Sequence, residues 1–204
     1  MKVELKSLFP VPFIKFKFTK HHLYKFPEVK KSVRKPDEWV KPLNTSFGSS
    51  CGDDFFSDEI RFGMYSHLTE DLHEVFKVLN IPSEFELNQL WYNIYHDNQG
   101  QEKHDHIPGI ISKPPYWCGV YYNKGNIPTT FIKPYNYHKI NRHQEFNSPD
   151  SSMFKYFCDF FEPNIEPGDI ILFPPWLDHG VDTGSECRDN MRLTFSFNIE
   201  YTGK

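Results

Sequence analysis

No stretch of this 204-residue chain approaches the roughly 18 consecutive apolar residues of a membrane-spanning helix. The opening MKVELKSLFP also lacks the apolar core of a secretory leader. Basic residues are not in excess. Lys and Arg total 23 against 27 Asp and Glu, a net charge of −4, so the counterion release that drives non-specific nucleic-acid binding is missing. Cysteine is scarce, and Cys51, Cys118, Cys158 and Cys187 show no paired motif spacing. An even count fits disulfides, but nothing marks secretion, so reduced thiols are expected. These absences lead to the expectation of a soluble, cytoplasmic protein with neither membrane nor nucleic acid as partner. Its length suits one well-cored domain and is short for two. Oligomeric state is left open.

What is abundant is aromatic: 17% of the residues, with 20 phenylalanines. Internal repeats are absent and the 16 prolines are spread throughout. The first 66 residues read as irregular, with one strand candidate in FIKFKF, where Phe13, Lys15 and Lys17 alternate with Ile14, Phe16 and Phe18. A helix is expected in HLTEDLHEVFKVLNIP, with Thr69 as its cap and Pro82 as its stop. Leu72, Val75, Phe76 and Leu79 form its apolar stripe.

After residue 87 the pattern changes to short alternating runs divided by Gly, Pro and Asn. Residues 90–95, 118–123, 129–133, 155–161, 169–173 and 191–201 all read as strands. In the last, Leu193, Phe195, Phe197, Ile199 and Tyr201 take one face, and Arg192, Thr194, Ser196 and Asn198 the other. Many short strands without intervening helices predict a mostly β, antiparallel sandwich or small barrel. Residues 1–86 would form a supporting region packed outside a core of residues 87–204.

The chemistry-bearing residues fall in that second part. His104 and His106 flank Asp105, and on a strand positions i and i+2 share a face, so both imidazoles are placed to meet one metal. A third ligand is needed, and His179 follows the turn-and-strand EPGDIILFPP. Two close ligands and one distant one match the facial arrangement of non-haem iron sites, which leaves positions open for substrate and oxygen. Arg192, inside the polar face of a strongly alternating strand, is costly unless it meets an anion. Its planar fork suits a carboxylate. A metal with an arginine nearby points to a dicarboxylate ligand. Arg188 is a rival for that role, and His96 with Asp97 mimics a metal half-site in what reads as a turn.

These residues sit within longer motifs: LFPVP (8–12), WYN (91–93), HDHIP (104–108), CGVYYN (118–123), PGDIILFPPWLDHGV (167–181) and RLTFSFN (192–198). Together they resemble the 2-oxoglutarate- and Fe(II)-dependent oxygenase superfamily, in particular a group of bacterial and phage members. The resemblance is strongest over residues 88–204. It implies a double-stranded β-helix, metal binding by His104 and His179, and 2-oxoglutarate as cosubstrate, its carboxylate on Arg192. It also implies a cosubstrate contact from Tyr122, by similarity to the prolyl hydroxylase branch. Asn93 is either a further cosubstrate contact or a strand-end residue.

The superfamily usually carries His-x-Asp where this chain has His104-Asp105-His106. The third ligand is therefore His106, Asp105 or a water, and strand parity favours His106. SKPPYW (112–117) interrupts the expected motif and reads as either a substrate-facing wall or a loop whose aromatics pack on the core. The expected activity is hydroxylation of a small molecule or peptide, with formation of succinate and CO2. Two other readings stay open: a cupin-like three-histidine metalloenzyme that does not use 2-oxoglutarate, and a non-catalytic β-sandwich.

Overall fold

The computed structural model describes residues 11–27, 44–45, 56–96, 99–107, 114–134, 160–182 and 191–203. In chain order the elements are β1 (Ile14–Lys17), β2 (Asn44–Thr45), α1 (Asp58–Leu79), β3 (Phe85–Tyr95), β4 (Gln101–His104) and β5 (Trp117–Lys124). There follow β6 (Thr130–Ile132), β7 (Phe160–Phe161), β8 (Asp169–Phe173), β9 (His179–Val181) and β10 (Arg192–Tyr201). The strands form a major sheet, β1-β8-β5-β10-β3-β2, and a minor one, β4-β9-β6-β7. Neighbours in both sheets pair antiparallel. This is the antiparallel jelly roll that the short alternating runs predict.

The major sheet is buried on both faces, which explains why β8 and β5 read as nearly continuous apolar runs. On one face Leu193, Phe195, Phe197 and Ile199 of β10 join Tyr121, Ile170 and Leu172, and α1 covers them with Met64, Leu68, Leu72 and Phe76. On the other, Val120, Tyr122, Ile171 and Phe173 meet Phe131 and Leu177 of the minor-sheet side. Arg192, Thr194 and Ser196 point the opposite way from the aromatic residues of β10, yet they too are buried. The polar face of β10 therefore lines an interior space and not the solvent.

The helix starts earlier than expected. Ser57 caps it, its side chain accepting from the Ile60 amide, with Asp58 and Glu59 in the first turn. Thr69 lies mid-helix, where its hydroxyl donates back to the Tyr65 carbonyl at 2.8 Å. A threonine can satisfy itself this way inside a helix, so it is an ambiguous start signal. The helix also ends before Pro82: Asn80 adopts a left-handed conformation (φ 54) and the Ile81 amide bonds the Phe76 carbonyl. Of the expected stripe Leu72 and Phe76 are fully buried, whereas Leu79 is exposed. Burial follows i, i+4 spacing from Met64, a row displaced from the expected one.

The N-terminal third also supplies two edge strands, β1 against β8 and β2 against β3. In EPGD, Pro167 and Gly168 (φ 89) form a tight turn closed by the Asp169 amide on the Glu166 carbonyl. Asp169, which opens β8, is 1% exposed and sits 3.0 Å from Lys15 Nζ and 2.8 Å from Lys17 Nζ of β1. Burial alone raises its pKa, but the Lys17 and Lys15 contacts and the Glu166 amide outweigh it and hold the carboxyl below its usual range. The ion pair therefore stabilises the fold above about pH 4, and that stability is lost as pH falls through the depressed folded value. Asp169→Asn should cost about 1–2 kcal/mol at neutral pH, a charged hydrogen-bond value reduced because both lysines are solvated. Thermal melts should show the gap to wild type closing below about pH 4; a gap independent of pH contradicts the ion-pair account.

Cys118 is a free, buried thiol, and burial pushes its pKa up. Cys51, Cys158, Cys187 and most of the strand expected over 155–161 lie outside the described residues. Among the described residues no helix is long and apolar enough to cross a membrane.

Candidate metal and anion site

The two sheets bring three histidines together. His104 ends β4 and His179 opens β9, and the two are direct partners across that antiparallel pair. Their ring centroids lie 4.3 Å apart, and His106 is 5.1 Å from His179 and 5.5 Å from His104. One ring nitrogen from each lies within 4.8 Å of the others. The strands approach closely because Gly180 has no side chain: a Cβ there would stand 2.9 Å from the Gln101 carbonyl.

His106 lies two residues past the end of β4, so the strand ladder does not hold it. Its amide donates instead to the Pro175 carbonyl at 2.8 Å, tying it to the turn before β9. Asp105 is exposed, accepts from the Ile107 amide at 3.0 Å, and stands outside the histidine group.

In each imidazole Nδ1 is already engaged. It faces the Glu102 carbonyl at 2.8 Å in His104, Asn198 Oδ1 at 3.0 Å in His106 and the Leu177 carbonyl at 2.9 Å in His179. A carbonyl oxygen only accepts, so Nδ1 carries the proton and the Nε2 lone pair stays available. Asn198 is oriented in turn, because its amide donates to Gln89 Oε1 at 2.9 Å. Burial lowers the pKa of His106, and burial with the neighbouring imidazoles lowers that of His179 to about 3. Imidazoles whose second nitrogen is fixed in this way are what a divalent metal requires.

Arg192 opens β10 on the wall of the same cavity and is 2% exposed. Its guanidinium sits 4.6 Å over the Tyr95 ring and 5.3 Å from the Tyr122 ring. Nε donates to the Ile127 carbonyl at 2.9 Å and an Nη to Thr129 Oγ1 at 3.3 Å. Among the described residues no carboxylate lies within ion-pair distance of it. A buried cation is costly unless it meets an anion, and a carboxylate brought to this wall would supply one.

Tyr122 has its ring beneath Arg192 and its hydroxyl 2.7 Å from Thr129 Oγ1; it supports the arginine from behind the cavity wall. Asn93 is on the wall and donates to Ser196 Oγ at 3.0 Å. Sequence reasoning missed Tyr95, Thr129 and the amide side chains of Gln101 and Asn198. Asn198 shares the face of Arg192 on β10, and Tyr95 shares that of Asn93 on β3, so parity carried a signal for both. Thr129 precedes β6 in an irregular segment that has no such period. His96 stands in the turn closed by Gln99, whereas Asp97 and Arg188 lie outside the described residues. Tyr116 packs on the aromatic core, with its ring 5.5 Å from that of Tyr201, and Trp117 is buried in the same cluster. Neither is among the residues that line the cavity; both pack on the core side.

A family model described as "Putative 2OG-Fe(II) oxygenase" matches residues 89–198, a span that holds all three histidines and Arg192. Among curated proteins none matches the chain. HygX from Streptomyces hygroscopicus, solved with nickel, 2-oxoglutarate and hygromycin B bound, is similar in structure with a TM-score of 0.52. The identity is 14%, over 94% of this chain and 84% of that one. An oxidoreductase of the 2OG-Fe(II) oxygenase family from Burkholderia pseudomallei aligns at 12% identity and a TM-score of 0.45. There 71% of this chain covers 56% of the other's length. At such identities the structural likeness speaks for the fold alone. The family match spans over half of the sequence and contains the whole histidine and arginine constellation, and by it the chain belongs to the 2OG-Fe(II) oxygenase family.

Proposed function

We propose that this chain is a 2-oxoglutarate-dependent dioxygenase in which His104, His106 and His179 hold Fe(II) and Arg192 holds the distal carboxylate of 2-oxoglutarate. The observation that carries it is a buried guanidinium, with no counter-anion among the described residues, on the wall of a cavity that also holds three pre-oriented imidazoles. The donor set fits the metal, since each available Nε2 comes from a ring whose other nitrogen is fixed. Iron and 2-oxoglutarate supply the oxidation when bound: cosubstrate and O2 become succinate, CO2 and a hydroxyl group on a substrate C–H.

The chain's own residues bind, orient and exclude water. Arg192, braced by Tyr95, Tyr122 and Thr129, sets where the distal carboxylate lies. Asn93 adds a polar amide to the same wall. Phe173 stands edge-on to His179, with centroids 4.7 Å apart, and shields the histidines from the core side. All of these residues fall within 87–204, which fits a single domain whose core carries the chemistry and whose first 86 residues support it. A small molecule or a peptide is the expected substrate class, and the hygromycin B complex of HygX agrees with a small one. A reducing, cytoplasmic setting fits the free thiol of Cys118.

Anaerobic addition of Fe(II) and 2-oxoglutarate should give the visible charge-transfer band of the chelate, and candidate substrates should raise succinate above the uncoupled background. Metal binding without the band supports a three-histidine metalloenzyme that does not use 2-oxoglutarate, a reading favoured by His106 at the usual carboxylate position. Absence of metal binding returns the protein to a non-catalytic β-sandwich.

Asn198→Ala isolates the outer support of His106. Without its acceptor the ring loses both orientation and tautomer, and such partners typically contribute about 10–100-fold to metal affinity. Competition with a chelator should show an Fe(II) affinity lower by that factor and a melting temperature close to wild type. Equal affinity in both proteins would mean that His106 does not bind the metal through Nε2.

A further inference from the structure

Gln101 opens β4, half-buried on the cavity wall, and its two ends are committed differently. Oε1 accepts the Tyr95 hydroxyl at 2.8 Å. Burial pushes the Tyr95 pKa up to about 12, so that hydroxyl keeps its proton and stays a donor. With Oε1 occupied in this way the amide has one orientation, and its Nε2 turns to the histidines, 3.4 Å from His104 Nε2. His104 Nδ1 already donates to the Glu102 carbonyl, so the contact at Nε2 is an amide N–H pointed at an imidazole lone pair. That is the lone pair a metal takes. Once His104 is ligated, the Gln101 N–H groups lose their acceptor while Tyr95 still holds the side chain in place. The ring of the same Tyr95 lies 4.6 Å beneath the Arg192 guanidinium. Arg192, Tyr95, Gln101 and His104 thus form one contact chain that runs from the anion anchor to the metal side.

We propose that Gln101 is a cosubstrate-positioning residue whose amide N–H hydrogen-bonds an oxygen of the 2-oxo acid end of 2-oxoglutarate, opposite the end held by Arg192. This rests on the function proposed above. Gln101 then does two things: it occupies His104 before the metal arrives, and it orients the near end of the cosubstrate afterwards.

Calorimetry with Mn(II) and 2-oxoglutarate tests the assignment without turnover. Gln101→Leu should bind Mn(II) at least as tightly as wild type, because a competing donor is gone. It should bind 2-oxoglutarate about 10-fold more weakly or worse, the usual range for a hydrogen bond to a charged group. Gln101→Glu keeps the acceptor for Tyr95 and the side-chain shape, and it carries the test where Gln101→Leu fails to fold. Its carboxylate should tighten Mn(II) binding and weaken 2-oxoglutarate binding further, through repulsion between like charges. Parallel loss of both affinities marks a structural residue and overturns the proposal, as does 2-oxoglutarate affinity within two-fold of wild type in both variants. A wild-type Mn(II) protein that binds no 2-oxoglutarate overturns the proposed function itself, an outcome distinct from either of these.

Discussion

Replacing His179 with alanine is expected to abolish stoichiometric Fe(II) binding while leaving the fold in place. His179 is the best buried of the three imidazoles and the one with both others close, at 4.3 and 5.1 Å between centroids. Two histidines alone do not retain a catalytic ion, so its loss should act on occupancy and not merely on affinity. The fold should survive because β9 is a short strand of the minor sheet, and its ladder hydrogen bonds come from the backbone. What is lost is packing against Phe173 and Phe131, an effect of about 1–3 kcal/mol. Iron content after anaerobic loading and desalting, beside a circular-dichroism melt, reads both quantities. Undiminished iron in a folded His179→Ala protein ends the assignment. His106→Ala should lose iron as well, whereas Asp105→Ala should keep it, since that carboxylate faces solvent and holds the Ile107 amide.

Arg192→Ala should bind 2-oxoglutarate at least about 30-fold more weakly, in line with the ~2–5 kcal/mol that accompanies truncation of one partner in a buried charge pair. Fe(II) binding should persist, because the arginine touches none of the histidines. Stability offers a second signature. Among the described residues Arg192 has no counter-anion, so without cosubstrate Arg192→Leu should cost little, and the gap to wild type should widen as 2-oxoglutarate is added. Thermal melts with and without the cosubstrate measure that widening. An unchanged affinity in Arg192→Ala, together with a loss in Arg188→Ala, would transfer the role to the other arginine.

Where the chain keeps a strict two-residue period, its sequence is transparent. β10 shows this best: alternation separated Leu193, Phe195, Phe197 and Ile199 from Arg192, Thr194, Ser196 and Asn198, and the structure assigns the first set to the core and the second to the site. His104 was read by strand parity and His179 from its place after EPGDIILFPP, and the two are direct partners across β4 and β9. Elsewhere period fails as a guide. The pairing of β4 with β9 is irregular between Gln101 and His104, so an odd spacing brings those two side chains together and parity hides it. The start of α1 was hidden by Thr69, whose mid-helix hydrogen bond imitates a cap only in one dimension. Tyr122 was read as a cosubstrate contact; its ring also lies beneath Arg192, a contact between β5 and β10 that no local pattern contains.

The position of β10 also bears on how the protein is made. It comes last in the chain order, yet it is paired on both sides at the centre of the major sheet, between β5 and β3. Until residues 192–201 leave the ribosome, β3 and β5 each present an open edge rich in Trp, Tyr and Val, the kind of surface that pairs with strangers. During synthesis Arg192 must also find Thr129 and Ile127 more than 60 residues behind it, a long loop to close before any contact compensates. A nascent chain arrested just before Arg192 should therefore be protease-sensitive and aggregation-prone throughout its major sheet, and one released after Tyr201 should gain protection in a single step. Stepwise protection of β3 and β5 in the arrested chain would show that the sheet does not wait for its central strand.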